Sequence, residues 1–235
     1  MNAQSDSLTR RLTLADQVYE ILRSQILDMD LPPGTRLKDS ELAVKLGMSN
    51  TPVREALRRL EEAELVETVP RRGTFVKQLS LREVEGLYEV RSALEVLAVR
   101  LAAVRSDDTL LEQVDEAARL HVSAVQRGAV DEFLEYDRRF HDLIAEGADN
   151  PILASMLTSL ADRIHIVRRM DLGRRQDEMS GEEHFEIAKA LLQRDGDEAA
   201  RLMEYHIREH KGRVLDMLNE SEDPDAPEAS VGSGE

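Results

Sequence analysis

Between residues 39 and 60 the apolar positions recur at helical spacing, break once, and resume. Leu42, Ala43 and Leu46 mark one stripe on a short helix, with Asp39 or Ser40 as its expected cap and Gly47 as its stop, since glycine tolerates a positive φ most easily. A second helix follows at once: Ser49, Asn50 and Thr51 all suit a cap, and Pro52 falls in a first turn, where it loses no intrahelical bond. Val53, Ala56, Leu57 and Leu60 form its buried stripe, while Asn50, Arg54 and Arg58, four residues apart, share another face. Two short helices about a glycine turn predict a helix-turn-helix. With Thr51, that second face gathers amide, hydroxyl and guanidinium groups, the types that donate to phosphates and to base edges in a major groove.

The period then changes. Leu65-Val66-Glu67-Thr68-Val69 and Thr74-Phe75-Val76 are short β-branched runs on either side of Pro70-Arg71-Arg72-Gly73, which predicts a hairpin with Arg71 and Arg72 at its tip. A cationic hairpin directly after a recognition helix is a wing, able to reach a backbone or a minor groove. Any one of Arg54, Arg58, Arg71 and Arg72, taken alone, reads as a solvated surface charge; their joint placement points to DNA.

From residue 80 no strand pattern remains, and apolar residues keep helical spacing to about Leu218. Breaks at Asp107-Asp108, Gly128, Asn150-Pro151, Gly173 and Gly196 divide this stretch into helices near 80–104, 108–127, 130–147, 150–170, 176–194 and 196–219. The expected fold is mainly α: a winged helix-turn-helix domain with a small β-hairpin wing over residues 12–78, and an antiparallel α-helical bundle of about six helices over 80–219. Residues 1–11 read as a flexible N-terminus, and 220–235, rich in acid, proline, serine and glycine, as a disordered acidic tail.

Composition sharpens this division. The chain has 235 residues, 41% of them apolar, enough for two globular domains. Its net charge of −16 looks hostile to nucleic acid, yet the first 79 residues hold 12 Lys plus Arg against 12 Asp plus Glu, and the remainder 19 against 35. The whole acidic excess therefore lies outside the reading domain. No cysteine occurs and the polar, charged start has no secretory apolar region, so a reducing cytoplasmic setting is expected, and no apolar stretch is long enough to span a bilayer.

The histidines carry the second candidate chemistry. Asp137 and His141 sit four apart on one helix face, His184 falls in the next-to-last helix and His206 in the last. A carboxylate with three imidazoles is a ligand set for zinc, nickel, manganese or iron, with an open position for water or a ligand oxygen. Spacing alone also fits a surface hydrogen bond between Asp137 and His141. His210, in Glu209-His210-Lys211, reads as exposed, and His121 and His165 as structural.

Residues 12–78 resemble the winged-helix reader of GntR-type bacterial transcription regulators through Leu31-Pro32-Pro33-Gly34-Thr35-Arg36-Leu37, Ser40-Glu41-Leu42-Ala43, Thr51-Pro52-Val53-Arg54-Glu55-Ala56-Leu57 and Arg72-Gly73-Thr74-Phe75-Val76. One departure is Asn50, where that family usually has arginine, so a guanine contact gives way to an adenine or phosphate contact. With this resemblance the expected DNA-contacting set is Arg36, Ser40, Ser49, Asn50, Thr51, Arg54, Arg58, Arg71, Arg72 and Gly73. Residues 80–219 resemble the helical FCD effector domain of the FadR-type branch, whose metal-binding members carry Asp-x-x-x-His, a later Glu-His and a His-Ile. Here these are Asp137 to His141, Glu183-His184 and His206-Ile207, which implies Asp137, His141, His184 and His206 as ligands of a divalent metal ion, zinc foremost.

The leading reading is a regulator whose effector is a small organic acid; two readers on a palindromic double-stranded DNA operator would multiply specificity through fixed half-site spacing, and the resemblance also implies a homodimer. Arg91 occupies the place of a cavity-facing arginine in such domains, and equally suits a salt bridge to Glu95; Arg163, after the Asn150-Pro151 break, is a second effector-binding candidate. The main rival is a helical-bundle metalloenzyme that activates water at the Asp/His set. Against it, the chain has no His-Glu-x-x-His, no Gly-x-Ser-x-Gly and no phosphate-binding glycine loop. A DNA-binding architectural protein with an inert bundle is a third reading.

Overall fold

The computed structural model describes residues 12–172 and 179–222, so the expectations for 1–11, for Gly173 and the start of the fifth bundle helix, and for 223–235 lie outside the described residues. The chain forms two compact units, Met1–Gln78 and Leu79–Glu235.

In the first unit, α1 (Leu14–Leu27) opens with a capping box in which Thr13 and Asp16 satisfy each other's backbone donors. Strand β1 (Arg36–Leu37) leads into α2 (Asp39–Leu46) and α3 (Asn50–Glu62), followed by β2 (Val66–Val69) and β3 (Gly73–Val76). The turn between α2 and α3 is left-handed at Gly47, φ 65°, as its sequence position requires. Val53, Ala56, Leu57 and Leu60 are buried and pack α3 against α1, whose own buried stripe is Val18, Leu22 and Ile26. Arg59 ties the two helices at the rim: its Nη1 donates to Asp16 at 2.7 Å and its guanidinium lies 4.5 Å from the Tyr19 ring.

Two features go beyond the sequence reading. The wing is a three-stranded antiparallel sheet of order β1-β3-β2, because Arg36 and Leu37 pair with Phe75 and Thr74. A two-residue strand leaves no periodic trace. The cap of α2 falls on Lys38, not on Asp39 or Ser40: the Asp39 carboxylate accepts from the Ser40 N–H and from Arg54 instead.

The second unit is all helical among the described residues: α4 (Leu81–Arg105), α5 (Asp108–Arg127), α6 (Val130–Gly147), α7 (Pro151–Leu172), α8 (Met179–Leu192) and α9 (Gly196–Glu222). Ser80 and Glu83 form a capping box for α4, Asp107 caps α5, and Gly128 ends it in the left-handed conformation. The longest interface is α4 against α9, and α5 packs between α6 and α8. One apolar core, including Tyr88, Val99, Phe140, Ile144, Ile187 and Met203, runs through the bundle. No helix is long and apolar enough to cross a membrane among the described residues.

Candidate DNA-reading face and metal centre

In the first unit α3 buries its apolar stripe and leaves Asn50, Thr51, Arg54 and Arg58 exposed, with Ser49 at its cap. Ser40 on α2, Arg36 on β1 and Arg71 and Arg72 at the hairpin tip are exposed as well, so nine of the expected contacts are open to solvent and Gly73 is half-buried beneath them. Gly73 has φ +111°, and a Cβ there would stand 3.3 Å from Arg36 Nε; only glycine lets Arg36 lie across the base of the wing. A cleft lined by Arg36, Ser40, Arg54, Arg58 and Thr74 separates the wing from α3.

Two arginines of this face are engaged with carboxylates. Arg54 Nε donates to Asp39 Oδ2 at 2.7 Å, and this bond holds the Asp39 carboxyl below the usual range. Arg58 donates to Glu55 at 2.7 Å and also to Glu62. Such exposed pairs contribute little to stability and open at small cost, so the guanidiniums remain available to an anion.

In the bundle, polar residues interrupt helix faces that are otherwise apolar, and the packing brings them together. Asp137 and His141 follow Phe133 and Leu134 along the inward face of α6; α8 supplies His184, and α9 supplies His206. His184 Nε2 and His206 Nε2 lie 3.2 Å apart. Asp137 Oδ1 lies 3.5 Å from His184 Nε2 and 3.8 Å from His141 Nε2. Ligand atoms of His141, His184 and His206 all fall within 4.8 Å of one another. His141, His184 and His206 thus form one group, and Asp137 stands beside His141 and His184, with Asp137, His184 and His206 buried and His141 nearly so.

The surrounding hydrogen bonds orient these rings. His141 Nδ1 bonds Glu95, and His206 Nδ1 bonds Glu183 Oε2 at 2.7 Å, so each presents Nε2 to the common centre. A carboxylate behind a ligating imidazole is the usual support of a metal site. Burial, reinforced by neighbouring cations and imidazoles, pushes His184 and His206 well below the ordinary histidine range and keeps them neutral, the form that ligates. For Asp137 burial pushes upward, but Arg168 and His141 outweigh it and hold the carboxyl ionised. Arg168 Nη2 stands 2.8 Å from Asp137 Oδ1, yet that oxygen has no hydrogen-bonded partner. Two neutral imidazoles, His184 and His206, beside an ionised carboxylate fit a divalent cation.

Arg91 pairs with Glu95 and also lines a cavity. Its Nε donates to Glu95 at 2.6 Å, its Nη2 lies 3.0 Å from His141 Nε2, and its buried Nη1 has no partner. Glu95, pulled up by burial but held down by His141 and Arg91, is lowered to about 2. A cavity of about 50 Å³ opens here, with Arg91, Arg138, His141 and Arg168 on its polar side and Leu157 and Ile164 on its apolar side. At roughly 10–15 Å³ per water-sized group, that accommodates a few heavy atoms.

Two expectations are corrected. Arg163 does not line this cavity; its Nη2 lies 3.5 Å from the Ser159 carbonyl, and Arg168, five residues further along α7, faces the site. Arg168 was hidden in an Arg168-Arg169 pair that reads as a solvated face. His210 is buried, not exposed, with its ring 4.6 Å from that of His206, and burial pushes it well below the ordinary range. His121 is fully buried beside His184, and His165 is half-buried in the cavity wall.

Exposed cations on a helix-turn-helix and wing, joined in one chain to a helical bundle with a buried polar centre, are the make-up of a two-domain DNA-binding regulator. The model of bacterial regulatory proteins of the gntR family matches residues 14–76, and that of the FCD domain matches residues 86–209. The HTH-type transcriptional repressor RspR of Escherichia coli K12 is 32% identical over 208 residues, covering 88% of this chain and 91% of its own. The Nta operon transcriptional regulator of Aminobacter aminovorans is 34% identical over 194 residues, covering 79% and 87%. Among solved structures, E. coli McbR/YncC superposes with a TM-score of 0.76 at 25% identity, covering 89% of this chain and all of that one. The chain belongs to the GntR family: it is a transcriptional regulator with a DNA-binding helix-turn-helix domain and an FCD effector domain, and not an enzyme.

Proposed function

We propose that this regulator binds a palindromic operator as a homodimer and senses a small organic acid at a divalent-metal site in its FCD domain. The convergence of Asp137, His141, His184 and His206 beside a guanidinium-lined cavity carries the reading. These four residues would hold the ion, which supplies a Lewis-acidic point for one carboxylate. Zinc, nickel, manganese and iron are all admitted by these ligand types. Arg91 Nη1 and Arg168 Nη1 and Nε are buried donors without partners, and a carboxylate bound between them would satisfy both guanidiniums.

On the reading face, Asn50, Thr51, Arg54 and Arg58 are the proposed base and phosphate contacts in the major groove. Arg71 and Arg72 reach beyond it from the wing, with Arg36, Ser40, Ser49 and Gly73 shaping the backbone contacts. Dimerisation is supported by Val90, Leu97 and Val104, spaced seven apart on α4 and all exposed. Two joined readers gain specificity through fixed half-site spacing. An acid that binds one arrangement of the readers more tightly shifts operator affinity by that difference in binding free energy. A role on DNA is in keeping with a cytoplasmic location.

Fluorescence anisotropy with an operator selected from a random pool tests this. Small carboxylic acids should shift affinity in metal-loaded protein and lose that effect after chelation. An undiminished response after chelation would remove the metal from the reading, and indifference to every acid would remove the effector class.

A further inference from the structure

His121 stands out on the inward face of α5. Its neighbours on that face, Leu111, Val114, Ala117, Ala118 and Ala124, are all apolar. Its ring is completely buried, and neither Nδ1 nor Nε2 has a hydrogen-bond partner. Two unmet polar atoms in one core side chain cost free energy that a structural role does not return. The ring centroid lies 4.2 Å from Phe133 and 4.5 Å from His184, so the imidazole is clamped against a candidate ligand. A ligand atom of His121 also lies within 4.8 Å of those of Asp137 and His184. Two ligands at opposite ends of 2.1 Å bonds stand roughly 4.2 Å apart, a separation of the same order. Burial lowers His121 to about 4, which leaves it a neutral donor.

We propose that His121 is a fifth protein ligand of the cation held by Asp137, His141, His184 and His206, an inference that rests on the metal-binding reading. Four imidazoles and one carboxylate leave a six-coordinate ion a single position for an effector oxygen, whereas a four-coordinate ion is already filled. His121 therefore tilts selectivity toward ions that accept six ligands rich in nitrogen, nickel and cobalt, and away from tetrahedral zinc.

X-ray absorption on the full chain loaded with nickel alone should count four imidazole nitrogens and need no variant. In cobalt-loaded protein, His121→Phe should still bind about one ion per chain, convert the weak visible bands of a five- or six-coordinate ion to the intense bands of a four-coordinate one, and reduce the nickel-to-zinc affinity ratio at least tenfold. Three imidazoles in the wild type, or unchanged bands and ratio in a folded His121→Phe, would overturn the assignment while leaving the four-ligand site intact. Failure of the wild type to bind any of the three ions would overturn the site and the fifth ligand together.

Discussion

His184 and His206, on different helices and 22 residues apart, point their Nε2 atoms at one another across 3.2 Å. Two imidazole nitrogens can share one proton at that distance, or both can face a common cation, and the buried carboxylate oxygen of Asp137 at 3.5 Å favours the cation.

Binding to the native state alone stabilises by mass action, about 2.7 kcal/mol when free ion is at 100 times Kd. Thermal unfolding of the wild type should therefore rise when zinc or nickel is added to stripped protein. His184→Ala should unfold at the same temperature with and without the ion; a retained shift would take His184 out of the coordinating set.

Glu95 supports both halves of the site, because it accepts from Arg91 and bonds His141 Nδ1. Glu95→Gln should lower metal affinity roughly 10- to 100-fold through the loss of ring orientation. It should also destabilise the bundle by about 3–5 kcal/mol, since the Arg91 charge is left buried with less compensation. Metal titration and chemical denaturation of the variant separate the two effects, and wild-type values in both would contradict the assigned role.

Arg54 is held by Asp39, so the two residues predict opposite phenotypes. Arg54→Ala should weaken specific operator binding by roughly 1–3 kcal/mol. Asp39→Asn removes a competing anion from the reading face and should strengthen binding to DNA of any sequence. Equal effects of both substitutions in anisotropy titrations would place Arg54 outside the contact.

The wing depends on the passage of Arg36 over Gly73. Gly73→Ala forces a side chain into a positive φ at a cost of about 1–3 kcal/mol and pushes on the Arg36 guanidinium. Operator affinity should drop while the far-ultraviolet helical signal of the full chain is retained; unchanged affinity would show that the wing has no part in binding.

Acid should loosen the first unit through Asp16. The side chain and backbone N–H of Thr13, then Arg59, lower its carboxyl from 3.8 to about 2. A depressed folded pKa means the contribution is full above 3.8 and is lost as pH falls from there towards 2. Asp16→Asn should thus be less stable than wild type at neutral pH, with the gap narrowing below pH 3.8. A constant gap from pH 7 to about pH 2 would contradict the linkage.

Much of this was legible in the sequence for identifiable reasons. Gly47, Gly128 and the capping residues Ser80 and Asp107 are local devices, so helix limits can be read from them directly. The four candidate ligands were legible because a carboxylate and an imidazole four apart share a helix face, and a resemblance tied the remaining histidines to them. Arg168 and His121 were not legible, since each depends on which helices pack together: an arginine in a basic pair and a lone histidine on an apolar stripe look ordinary until α5, α6, α7 and α8 meet. Asp39 misled for a related reason, because its carboxylate is taken up by the Ser40 N–H and by Arg54, fifteen residues away, and does not cap the helix.

Elemental analysis of the purified full-length protein, wild type beside the His141→Ala, His184→Ala double substitution, tests the central claim most directly. The account predicts about one divalent ion per wild-type chain, lost in the variant while the helical signal persists. No bound metal in the wild type, even after incubation with zinc, nickel and manganese, would contradict it, and Arg91 and Arg168 would then be left as the anchors of a metal-free pocket.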